Sequence, residues 1–232
     1  MTKLNAHRIA LTGLLLGLAL NALAGIAQTK LPQPVSFPTE DGGVVYADLY
    51  GKGKRGVVLA HGGRFDKESW ARQAQQLARA GFRVLAIDFR GRGQSRGGTA
   101  GDEGVRYDVL AAVRYLRRSG AKTISVIGAS FGGGAAAEAA IEAPGEIDRL
   151  VLLAHSPIEK PEQLKGRKLF ILTRDDANAA GLRLPRIRDQ FERAPEPKEL
   201  VILEGSAHAQ FIFETDQAAR LMREILRFLL RR

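Results

Sequence analysis

The most constraining feature of this chain is a series of short, wholly apolar segments separated by stretches with helical spacing. Segments 55–60 (RGVVLA), 82–89 (FRVLAIDF), 123–128 (TISVIG), 147–154 (IDRLVLLA), 168–173 (KLFILT) and 198–205 (KELVILEG) show little polar alternation. A strand with apolar side chains on both faces must be covered on both faces. Between these segments lie helical patterns at 67–81, 104–120, 131–143 and 182–194, the last started or broken near Pro185, and a closing one at 215–232. In the first, Trp70, Ala74, Leu77 and Ala78 share a face; in the last, Leu221, Ile225, Phe228 and Leu229 do. Strand–helix–strand succession makes the strands parallel, because each crossover must pass over a face of the sheet. Two earlier segments, 34–37 and 44–50, flank the turn sequence EDGG and predict an antiparallel hairpin. The expectation is an α/β fold: a mostly parallel eight-stranded sheet with helices on both faces, in one domain at 28–232.

Residues 1–27 predict something else. Lys3 and Arg8 precede an apolar run from Ile9 to Leu20, and small residues at 22–24 and 25–27 offer cleavage sites. That layout is a secretory signal peptide, short for a bilayer crossing, and it predicts export to the periplasm or beyond. The leader is then the only membrane contact. Its removal takes the formal charge from +10 to +8. The Lys and Arg residues are spread out, with no basic block, so nucleic acid is not an expected partner; an anionic envelope surface explains the charge as well. The absence of cysteine excludes thiol catalysis and Cys-ligated metal, and stability must come from packing.

The stretch GASFG, 128–132, lies between an apolar strand and an Ala-rich helix. A G-x-S-x-G sequence in that setting predicts a sharp strand-to-helix bend that exposes Ser130 as a nucleophile, with Gly128 and Gly132 relieving the crowding. A serine that merely caps its helix would not need small residues on both sides. Serine requires a base. His208 follows the last strand and so opens at the carboxyl edge of the sheet, where reactive groups gather in parallel sheets. The acid that orients the imidazole is sought after the strand at 168–173, where Asp175 and Asp176 both stand; Asp176 is preferred. Backbone N–H groups of Phe131 and Gly63 are the expected oxyanion donors, with His61 supporting the loop. No metal or cofactor is expected.

These segments together resemble the α/β-hydrolase superfamily, in particular its small cap-less members of esterase or dienelactone hydrolase type. HGG at 61–63 matches the oxyanion loop, DFRGRGQS at 88–95 the family's Asp-x-Arg-Gly-x-Gly-x-Ser segment, and GASFGG at 128–133 the nucleophile elbow. The resemblance implies a Ser130, Asp176, His208 triad. Only HSPIEKPEQLKGR separates the strands at 147–154 and 168–173, so no cap domain fits there. The site should be open and walled by Phe65, Phe131 and Phe211, and should take a small-molecule or exposed acyl ester. A peptidase or amidase, and a non-catalytic binding protein on the same fold, are the rival readings. Oligomeric state is not legible.

Overall fold

The computed structural model describes residues 31–231; the expected leader lies outside them. From Pro32 onward the chain forms one compact unit. The hairpin strands β1 (Gln33–Pro38) and β2 (Val44–Tyr50) are joined by a turn closed by Thr39 N–H on the Gly43 carbonyl at 2.9 Å, with Gly42 at φ 85°. Strands β3 (Arg55–Ala60), β4 (Phe82–Ile87), β5 (Thr123–Ala129), β6 (Arg149–Leu153), β7 (Arg167–Thr173) and β10 (Lys198–Leu203) complete the sheet, and a two-residue ladder, β8 (Ala177–Asn178) with β9 (Gly181–Leu182), stands apart from it.

The sheet has eight strands in the order β1-β2-β4-β3-β5-β6-β7-β10. β1 and β2 pair antiparallel, β2 and β4 pair antiparallel, and every other neighbouring pair is parallel. This is the expected mostly parallel sheet. Its central strands are buried on both faces, as their unbroken apolar sequences require: Val57 to Ala60 and Val84 to Ile87 have no exposed surface.

The helices are α1 (Ala71–Arg79), α2 (Val105–Arg118), α3 (Phe131–Glu142), α4 (Leu184–Arg193) and α5 (Ala218–Leu230). The helical pattern at 67–81 divides into a 3₁₀ turn, Lys67–Trp70, and α1, because Asp66 caps the turn by accepting Ser69 N–H at 3.1 Å. Pro185 sits in the first turn of α4, where its missing N–H costs nothing. Between β6 and β7 there is only a loop with a three-residue 3₁₀ turn, Pro161–Gln163, so no cap is inserted there. Among the described residues, no helix is long and apolar enough to cross a membrane.

The segment 88–95 is a brace. The buried Arg90 guanidinium donates from Nη2 to Asp108 of α2 at 2.7 Å and from Nη1 to Asp41 of the β1–β2 turn at 2.8 Å. Arg90 hydrogen bonds hold the Asp41 carboxyl well below the usual range. Ser95 Oγ accepts Tyr46 N–H at 2.8 Å, and Asp88 Oδ1 accepts Lys67 N–H at 2.8 Å.

Candidate active site

Ser130 stands where β5 turns into α3. Its backbone is at φ 48°, ψ −111°, a region L-residues rarely occupy. Close contacts explain the glycines around it. A methyl group on Gly132 would come 2.4 Å from the Ala60 carbonyl oxygen, and one on Gly128 would come 2.4 Å from the Gly132 carbonyl oxygen. The neighbouring strand holds the bend on both sides: Ser130 N–H donates to Leu153 O at 2.9 Å, and Ser156 N–H donates to Ser130 O at 2.9 Å. Reaching both groups requires a kink after β6, and Ala154 supplies it at φ 45°.

His208 lies in the loop after β10, at the same edge. Its Nε2 is 2.8 Å from Ser130 Oγ, and its Nδ1 is 2.7 Å from Asp176 Oδ2. An ionised carboxylate only accepts, so Nδ1 carries the proton and Nε2 is left to accept from the serine hydroxyl. Asp176 is fully buried, whereas the imidazole is 27% exposed. Of the two adjacent acids, Asp176 is the one that meets His208; Asp175 is exposed, and its N–H bonds to the Gly205 carbonyl.

The β8–β9 ladder folds the chain back immediately after Asp176. Arg183 thereby returns to Asp176, its N–H donating to the main-chain carbonyl at 2.8 Å and its Nε to carboxylate Oδ1 at 3.1 Å. Neither the ladder nor Arg183 is anticipated by the motif reading. The glycine at Gly181, at φ 101°, is the local signal of the reversal.

The loop 61–65 lies opposite α3. A methyl on Gly63 would sit 3.7 Å from Phe131 Cβ, so the two residues expected to supply the oxyanion donors are neighbours. Neither N–H makes a protein hydrogen bond among the described residues. His61 is buried, and its Nδ1 bonds to Gly62 O at 2.8 Å while its Nε2 accepts Phe89 N–H at 3.3 Å. It serves as a brace for the loop, and burial pushes its imidazole below its ordinary range. Arg92 Nη2 donates to the Gly63 carbonyl.

Phe65 and Phe211 pack with ring centres 5.0 Å apart, and Phe131 packs edge-on against Phe89 at 5.2 Å. Phe131 and Phe211 are each 39% exposed, an unusual level for rings that could have been buried. They form an apolar margin around the serine. Among the described residues, no cluster of three or more metal-ligating side chains occurs.

A family model described as the alpha/beta hydrolase fold matches residues 56–221, from β3 through the start of α5. The chain belongs to that family. Its sheet order is that of the family. Two relatives align over part of their length. The dihydrolipoyllysine-residue acetyltransferase component of the acetoin cleaving system from Cupriavidus necator is 32% identical over 51% of this chain and 31% of its own length. The pimeloyl-[acyl-carrier protein] methyl ester esterase of Edwardsiella ictaluri is 32% identical over 46% of this chain and 39% of its own. The match therefore spans well under two thirds of either relative. Among solved structures, an esterase from Pyrococcus furiosus superposes with a TM-score of 0.70 at 22% identity, covering 85% of this chain and 93% of that one.

Proposed function

We propose that the protein cleaves carboxylic esters by acyl transfer to Ser130. The observation that carries this reading is the continuous hydrogen-bonded row from Asp176 through His208 to Ser130, at 2.7 and 2.8 Å, on a strained bend. His208 Nε2 takes the hydroxyl proton as Ser130 Oγ attacks the ester carbonyl. Buried Asp176 holds the imidazole in the right tautomer and stabilises the cation that forms. The tetrahedral oxyanion is met by the N–H groups of Gly63 and Phe131, which are not committed elsewhere, the second at the N-terminus of α3. His208 then gives its proton to the leaving alcohol. Water, activated by the same imidazole, releases the acid.

Esters are favoured over amides by the openness of the site. The apolar margin of Phe65, Phe131 and Phe211 offers a resting place for an acyl or aryl group. The esterase names among its relatives and structural neighbours agree with this choice. The basic, apolar leader would deliver the enzyme outside the cytoplasm.

Purified Ser130→Ala protein should lose ester turnover while keeping the wild-type circular dichroism and melting temperature. Asp176→Asn should lower kcat by about 10⁴, and Asp175→Asn should leave it nearly unchanged. Full turnover by the Ser130 variant would refute the mechanism, and a matched amide cleaved faster than its ester would refute the substrate class.

A further inference from the structure

Gln210 is 5% exposed, yet both ends of its carboxamide are used. Its Oε1 accepts Gly62 N–H at 2.6 Å, and its Nε2 donates to Ser69 Oγ at 2.9 Å. Gln210 stands two residues after His208, in the 3₁₀ turn Ala209–Glu214. The chain bends into that turn at once, with Ala209 at φ 51° and Phe211 N–H returning to the His208 carbonyl at 3.1 Å. From the other side, Thr173 Oγ1 of β7 donates to the Ala207 carbonyl at 2.8 Å. The base loop is thus fixed from behind by Thr173 and tied forward, by one side chain, to the loop that carries Gly63.

The peptide that supplies the Gly63 N–H is itself pinned. Its carbonyl, Gly62 O, accepts from Phe65 N–H at 2.9 Å and is 2.8 Å from His61 Nδ1. In a trans peptide the N–H points opposite to the carbonyl. Holding Gly62 O toward His61 and Phe65 therefore aims Gly63 N–H the other way. Gln210 fixes the remaining backbone group of Gly62, its N–H.

We propose that Gln210 is a positioning residue for the oxyanion pocket, holding the Gly63 N–H in register with His208 so that attack and charge stabilisation occur at one place. The proposal rests on the serine-hydrolase reading of the site. A primary carboxamide suits the task because it accepts and donates at once without charge. A carboxylate there would accept Gly62 N–H but set a negative charge beside a developing one. A thioether would leave a buried N–H without a partner.

The test compares a matched carboxylic ester and thionoester on wild-type protein, Gln210→Met, Ser69→Ala and Ser130→Ala. Sulfur is a weak hydrogen-bond acceptor, so a thionoester draws little from an oxyanion pocket. For the ester, Gln210→Met should lower kcat about ten- to a hundredfold with KM little changed, the scale expected of a displaced donor. Thionoester turnover should fall far less, compressing the ester-to-thionoester ratio. Ser69→Ala, which frees the other end of the Gln210 carboxamide, carries the same test if the methionine variant fails to fold. A parallel fall on both substrates, or no fall, in a folded variant would overturn the positioning role while Ser130→Ala is still inactive. Activity remaining in Ser130→Ala would instead remove the reading beneath it.

Discussion

Arg183 donates from Nε to Oδ1 of Asp176 at 3.1 Å, while the other oxygen of that carboxylate holds His208. The buried acid is therefore oriented by two partners. Replacing Arg183 with leucine frees the carboxylate to rotate and removes a compensating positive charge. The expected outcome is a kcat lower by on the order of tenfold. Arg183→Lys should restore the charge but not the orientation. Steady-state kinetics on the three proteins check this.

His155 predicts how stability depends on pH. The ring is fully buried, edge-on to Phe170 at 5.4 Å, and neither ring nitrogen has a protein partner. Burial, aided by the nearby Arg186 charge, pushes its imidazole down from 6.5 to about 3. The folded protein thus refuses a proton that the unfolded chain accepts. The stability contribution is complete above pH 6.5 and is lost as pH falls from 6.5 toward 3, with a slope of up to about 1.4 kcal/mol per unit. His155→Leu replaces unpaired polar atoms with apolar ones and should flatten that slope. Urea melts at pH 7 and pH 5 measure it.

The Arg90 brace should be costly to break. Arg90→Met leaves Asp41 and Asp108, with side chains 6% and 0% exposed, facing a site without its cation. Loss of one member of a buried ion pair costs about 3–5 kcal/mol, and a melting temperature lower by roughly 10 °C is expected for a chain of this size. Arg90→Lys should recover little of this, because one ammonium cannot reproduce the fork that reaches both acids and the Gly101 carbonyl at 2.7 Å. Thermal unfolding followed by circular dichroism tests both variants.

The sheet, its parallel core and the site's edge were legible because they depend on pattern. Wholly apolar strands require cover on both faces, and the loops at their carboxyl ends carry Ser130, Asp176 and His208. Asp176 rather than Asp175 meets His208, a difference that adjacency alone does not announce. What escaped was the support around the site. Arg183 reaches Asp176 through a two-residue ladder too short to leave a periodic trace. Gln210 reads as one polar residue in the apolar run AQFIF, and its partners Gly62 and Ser69 lie more than a hundred positions away. Long-range hydrogen bonds of this kind have no local signature. The kink at Ala154 is similar, since nothing about an alanine announces φ 45°.

The direct loop from β6 to β7 has a kinetic consequence. With no cap among the described residues to close, an acyl group formed on Ser130 by the proposed mechanism would stand at the solvent boundary for its whole lifetime. Its fate is set by the nucleophiles present in bulk and their concentrations. In water that means hydrolysis; beside a crowded alcohol, amine or glycan surface, the same intermediate is open to capture by whatever lies closest.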